Sequence, residues 1–165
     1  MSYSRRREIQ ISDFFMKPDV FVDRMIDGKF FEKIRLKNGL EARMCHKSRH
    51  TAGDRCQVTF EVRIDVDLKP EYFSSPILSN LTLEEARSLL GNVTAYNYQK
   101  ERNFISEDQK MAVLEKMKAD FLDTNLRYLS SPGFPARLIK KNYKDAHAKM
   151  LLRKRQEAAW QEKTG

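Results

Sequence analysis

The sequence predicts an α+β fold: a largely antiparallel sheet of about four strands, in the order β-β-β-α-β-α-α, covered on one face by helices and ending in a basic C-terminal helix. Three observations carry this. A long stretch from Cys56 to Leu68 alternates apolar and polar residues, the period of a half-buried strand. Later segments carry apolar residues at helical spacing behind capping-box residues. No internal repeat or low-complexity linker divides the chain, so residues 1–165 read as a single domain.

Residues 1–11 are polar and arginine-rich, without the apolar period needed to offset the entropy of ordering, and are expected to form a flexible basic start. A short helix is expected next. Pro18 suits a first turn, Asp19 complements its positive end, Phe21, Val22, Met25 and Ile26 share one side, and Gly28 closes it. Phe30 to Lys47 then reads as a hairpin, with Ile34 and Leu36 alternating before Asn38-Gly39 and Leu40, Ala42 and Met44 after it. Face parity selects the turn. A two-residue Asn-Gly turn would set the two apolar rows on opposite faces, whereas a Lys37-Asn38-Gly39 loop pairs Leu36 with Leu40 and needs Gly39 left-handed.

In the third strand Cys56, Val58, Phe60, Val62, Ile64, Val66 and Leu68 face inward and the residues between them outward; its length implies a bend or bulge within it. Lys69 to Asn80, with Pro70 and Pro76, is loop. Thr82 and Glu85 then cap a helix over 83–90 that Gly91 terminates. Val93 to Ile105 is the fourth strand, with Thr94, Tyr96, Tyr98, Lys100, Arg102 and Phe104 on one face. Ser106 and Gln109 form a second capping box for a helix carrying Met111, Leu114, Met117, Phe121, Leu122, Leu126 and Leu129, which should cover the sheet. After the Ser130–Gly133 break, Pro135 opens a last helix. Its stripe of Leu138, Ile139, Tyr143, Ala146 and Met150 fades after Leu152, so residues 153–165 are expected to project.

With 165 residues, 41% hydrophobic, the chain has enough apolar side chains for a core, and two cysteines cannot form a disulfide scaffold. No apolar run approaches the roughly 20 residues that span a bilayer, and Glu8, Asp13 and Lys17 interrupt the segment behind Arg5–Arg7, so neither membrane span nor signal peptide is expected. A reducing cytoplasm with free thiols follows from that reading. Asn80-Leu81-Thr82 and Asn92-Val93-Thr94 accordingly read as helix-flanking polar residues rather than glycosylation sites. The formal charge is +8, and it is unevenly spread: residues 1–55 carry 13 basic and 8 acidic side chains, 56–107 carry 5 and 8, and 135–165 carry 9 and 3. Such basic ends favour encounter with an anionic partner, nucleic acid or an acidic protein.

Several clusters are candidate sites. Cys45, His46, His50 and Cys56 are zinc-type ligands within one short stretch, but their spacing fits no finger or ribbon, and strand phase sets the two thiols on different faces. One core cysteine and polar loop residues is the reading favoured there. The loop between the second and third strands carries His46, Lys47, Arg49, His50 and Arg55, which could hold a phosphate or carboxylate, although it lacks a glycine-rich cradle. Tyr96, Tyr98, Lys100 and Arg102 would offer rings beside phosphate-binding charges if the strand face were exposed. Arg153, Lys154 and Arg155 on the last helix could follow a phosphate backbone, and Trp160, outside the apolar stripe, is a candidate for contact with a second copy of the chain. Asp65, Asp67 and Glu61 are expected to pair across the sheet with Lys33, Arg35 or Arg43.

No His-Glu-x-x-His, Gly-x-Ser-x-Gly, Walker or dinucleotide-binding motif occurs. The expectation is a small binding protein without catalytic activity or cofactor, acting through its basic ends and capable of pairing with itself. The alternatives are a nucleic-acid-binding module built on the tyrosine strand and the last helix, and an enzyme or anion site at the His46–Arg55 loop.

Overall fold

The computed structural model describes residues 24–26 and 29–164, with side chains from Glu32 to Glu162. The expected flexible start lies outside the described residues. Among the described residues five strands, β1 (Arg24–Ile26), β2 (Lys29–Arg35), β3 (Glu41–Ala52), β4 (Arg55–Asp67) and β5 (Val93–Ser106), form one sheet in chain order, each antiparallel to the next. The four-stranded meander β2–β5 is the expected sheet, and β1 adds a short edge to it. Helices α1 (Leu83–Leu90), α2 (Lys110–Leu129) and α3 (Phe134–Thr164) complete the α+β fold. Short 3-10 turns at Pro70–Ser74, Pro76–Leu78 and Glu107–Gln109 link the elements.

Part of the expected first helix is instead strand: Arg24 pairs with Phe30 and Ile26 with Lys29. Ladder hydrogen bonds to β2 outweigh the weak local helix signal of Pro18–Gly28, whose other residues lie outside the described ones. The β2–β3 turn follows the parity argument. Ile34 faces Ala42, Arg35 faces Glu41, and the Leu36 amide donates to the Leu40 carbonyl at 2.8 Å. Gly39 sits at φ +84°, a conformation a side chain would strain. The Asn38 side chain locks the loop from both directions, accepting from the Leu40 amide at 3.2 Å and donating to the Leu129 and Ser131 carbonyls at 2.8 and 3.0 Å. Those last two bonds tie the turn to the end of α2.

β4 is the central strand of the hydrophobic layer. Cys56, Val58, Phe60, Val62, Ile64 and Val66 are buried along it, and Leu68 continues the row past its end. Neighbouring strands extend the same face: Ala42 and Met44 stand beside Ile64 and Val62 on one side, Tyr96 and Tyr98 on the other. Leu114, Met117, Phe121 and Leu129 of α2 close over it, joined by Phe134, Ala136, Leu138 and Ile139 of α3 and Ala86 of α1. Phe121 meets Phe60 edge-on at 5.8 Å and Tyr98 at 4.7 Å, while Phe134 meets Tyr96 at 6.0 Å. The connection between β4 and β5 is held by local bonds. Leu68 donates to Asn92 at 2.9 Å, Arg87 of α1 donates to the Leu68 carbonyl, and the Thr82/Glu85 capping box opens α1 as expected, with Gly91 (φ +75°) closing it.

Two local expectations need correction. Ser106 makes no side-chain cap bond, and a 3-10 turn precedes α2, because the Glu107 amide donates to the Asp54 carbonyl at 3.1 Å and its carboxylate pairs with Lys110. Met111 in the first turn of α2 is consequently 47% exposed rather than in the apolar stripe. The bulge also falls elsewhere. Val58 faces Arg102 while Cys56 faces Ile105, so the extra residue is on β5, not β4.

Ile64 has no exposed surface. Replacing it by Ala is expected to cost roughly 3 kcal/mol, from lost burial plus a residual cavity. Urea unfolding should show this as a lower midpoint with an unchanged slope.

Candidate functional site

The outer face of the sheet is a field of compensated charge. Asp65 accepts from both Arg43 and Arg63, Glu61 pairs with Lys47 at 2.8 Å, and Lys33 pairs with Glu41 at 3.7 Å. The carboxylates expected to pair across the sheet do so at Asp65 with Arg43 and, through Lys47, at Glu61. An open groove of about 400 Å³ runs across this face between Arg43, Cys45, Glu61, Arg63, Asn97 and Gln99. Along it Cys45 donates to Glu61, and Arg43 and Arg63 are both held by Asp65.

The stretch expected as a loop between the second and third strands is mostly ladder. His46 faces Phe60 and His50 faces Cys56 in continuous β3–β4 pairing, and the turn is reduced to Gly53-Asp54, with Gly53 at φ +58°. Strand alternation therefore separates the cations, Lys47 and Arg49 from His46 and His50, and the backbone donors that a phosphate cradle requires are used in the ladder. Each group also has its own partner or stands apart: Lys47 holds Glu61, Arg55 pairs with Asp54 at 3.4 Å, and the His50 ring contacts the Gly53 carbonyl at 2.6 Å.

The same alternation divides the zinc-type residues. Cys45 lies opposite Glu61 on the outer face and its thiol donates to that carboxylate at 3.3 Å; Cys56 is buried on the inner face and donates to the Ile105 carbonyl at 3.3 Å. Burial pushes the Cys56 thiol up, with Glu107 adding to the effect. Among the described residues no three His, Cys, Asp or Glu side chains gather. His46 is half-buried, and that burial, reinforced by Lys110 and opposed by Glu115, lowers its imidazole below the ordinary histidine value.

Tyr96 and Tyr98 are half-buried beneath the helices, their rings against Phe134 and Phe121. Their faces are occupied by the core rather than offered to a ligand. Lys100 and Arg102 continue the same strand toward its outer end, and no carboxylate pairs with either among the described residues. Beyond them the bulge interrupts the alternation. Ile105 takes the inward position and Phe104 is thrown outward, 76% exposed, at φ +57°. A left-handed backbone is strained for a bulky residue and costs about 1–2 kcal/mol. The strained carbonyl is held by Arg55 at 3.4 Å, and the flanking Asn103 accepts from Gln57 at 2.8 Å. The sequence placed Phe104 on the tyrosine face. The adjacent apolar pair Phe104-Ile105, which strict alternation cannot seat on one face, is the signal that could have located the bulge.

α3 leaves the body. Leu138 and Ile139 are buried, Asn142 donates to the Thr94 hydroxyl at 2.7 Å and the Ala95 carbonyl at 3.0 Å, and Met150 is the last half-buried residue. From Leu151 to Glu162 every residue is exposed while the helix continues. At 1.5 Å per residue the end from 151 to 164 reaches about 20 Å. It carries Leu151, Leu152 and Trp160 at 42%, 56% and 73% exposure, together with Arg153, Lys154 and Arg155; Arg153 pairs with Glu157 one turn on at 2.9 Å. The projection expected from residue 153 begins two positions earlier. No helix of the described residues is long and apolar enough to cross a membrane.

Phe104→Gly should raise the unfolding free energy by about 1 kcal/mol, because it relieves the positive φ and removes a ring that buries little surface. Thermal or urea melts measure it. His46, whose depressed imidazole is neutral when folded, contributes stability that is full above the unfolded value near ~6.5 and is lost as pH falls through the lower folded value. His46→Gln should flatten the fall of stability that sets in as pH drops below ~6.5, measured by urea melts across that range. Compared with protein-family models, with curated proteins and with solved structures, the chain matches none of them.

Proposed function

We propose that this protein acts by binding, and that it holds an anionic partner through the free end of α3. One observation carries the reading: from Leu151 onward the helix persists with every described side chain to Glu162 exposed. Helices of this length are marginal in water unless one face packs. For that packing the end of α3 presents Leu152 and the Trp160 indole, roughly 80° apart around the helix at about 100° per residue, with Leu151 on the far side of Leu152 from the indole, set among Arg153, Lys154 and Arg155. Lys140, Lys144 and Lys149 continue the charge toward the body. Cations steer an anionic surface into contact, and the apolar side chains supply the buried area.

Pairing of two copies through the same helix is the second reading, favoured by the exposure of Leu151, Leu152 and Trp160. Like charges at Arg153–Arg155 oppose it, which is why an anionic partner is the better fit.

The test uses heparin as a polyanion probe, titrated at about 50 and 200 mM salt. Binding should weaken steeply with salt, and Arg153→Glu with Arg155→Glu should lower affinity roughly tenfold or more and flatten the salt dependence. Affinity unchanged by the double reversal removes the proposal. Sedimentation decides the second reading: a monomer unaltered by Trp160→Ala excludes self-pairing through this end.

A further inference from the structure

We propose that the outer half of β5, from Lys100 to Phe104, is an edge guard, which keeps the same strand of a second copy of this chain from pairing onto the sheet. The inference does not rest on the reading given for α3.

β5 is a strand that needs protection. It is the last of the sheet, paired only with β4 among the described residues, and its 14 residues contain no proline. The backbone donors and acceptors along an outermost strand are a template for another strand. The opposite edge is protected by brevity, since β1 has 3 residues and a register shift within them. β5 cannot be shortened in the same way, because Tyr96 and Tyr98 extend the core row beside Ile64 and Val62. Its first half lies under α3, where Asn142 donates to the Thr94 hydroxyl at 2.7 Å and takes a backbone acceptor, the Ala95 carbonyl, at 3.0 Å.

Two other features protect the second half. Lys100 and Arg102 stand opposite Phe60 and Val58, on the helix-covered face, where the alternation calls for apolar residues. Lys100 is half-buried and Arg102 exposed. On an edge strand, long side chains of this kind can carry their charges past the edge into water. A sixth strand would close that path and leave two cations over the hydrophobic layer, which is costly without partners.

The bulge is the second feature. Val58 faces Arg102 while Cys56 faces Ile105, so one extra residue breaks the row of edge groups, and Phe104 is turned outward at φ +57°. A regular incoming strand cannot match a ladder interrupted in that way. Arg55 on the Phe104 carbonyl and Gln57 on Asn103 brace the strained backbone, so the interruption is held in place.

The experiment follows the full chain by sedimentation and by amide hydrogen exchange across Val93–Ser106, over a range of protein concentrations. Lys100→Thr with Arg102→Thr replaces both cations by polar strand formers without adding a large apolar surface. Deletion of Phe104 removes the extra residue while leaving Val58 opposite Arg102 and Cys56 opposite Ile105. Each should self-associate roughly tenfold or more tightly than wild type, with exchange slowing along β5 as association proceeds. Two variants should behave as wild type: Lys100→Glu with Arg102→Glu, which keeps charge on the inner face, and Phe104→Gly, which keeps the bulge. Far-UV dichroism identifies a deletion variant that fails to fold, and the threonine pair, which leaves the register untouched, then decides alone. A folded threonine pair that associates no more than wild type, association without slower exchange in β5, or concentration-dependent protection of β5 in the wild-type chain would each overturn the proposal.

Discussion

The burial of one side of β4 is the constraint on which the structure depends. Its inward residues from Cys56 to Val66 are almost fully withdrawn from solvent, and each neighbouring strand is placed so that its own apolar residues fall in the same plane. Because side chains alternate along a strand, this single requirement settles the two faces of the whole sheet. It puts Phe121 and Phe134 over the inner face, and it leaves the outer face to the Arg43–Asp65–Arg63 and Lys47–Glu61 pairs.

The same parity explains why the obvious polar clusters do not become sites. Residues close in sequence on β3 point alternately up and down, so the histidines part from Lys47 and Arg49, and Cys45 from Cys56. Contact with other molecules is therefore decided where alternation stops. It stops at the bulge that expels Phe104, and at Met150, where α3 runs beyond the last surface that can cover it. Both places expose large apolar side chains, and they lie on different elements.

Most of the architecture was legible in the residues. The Cys56–Leu68 alternation, the Lys37–Gly39 turn with a left-handed glycine, and the Thr82/Glu85 cap are local signals that the tertiary structure reinforces. The misreadings arose where a distant partner intervened. Ser106 looked like a helix cap, but the Glu107 amide is taken by Asp54 in the β3–β4 turn; Arg24–Ile26 looked helical, but β2 offers it a ladder. At the candidate site Lys100, Arg102 and the basic end of α3 could be named from sequence. Phe104 could not be placed, since a strand period has no memory of an inserted residue until the register on both sides is known.

The Asn38 side chain has a wider consequence. Its amide donates to the last carbonyl of α2, at Leu129, a group that a helix cannot satisfy for itself, and to the Ser131 carbonyl just beyond it, from a turn 91 and 93 residues earlier in the chain. The first hairpin and the helical layer thus share hydrogen bonds that neither can form alone, and closing so long a segment is an entropic cost met only once both are in place. Loosening of either layer exposes the other's polar groups, which couples the two into one cooperative unit rather than a sheet with detachable helices.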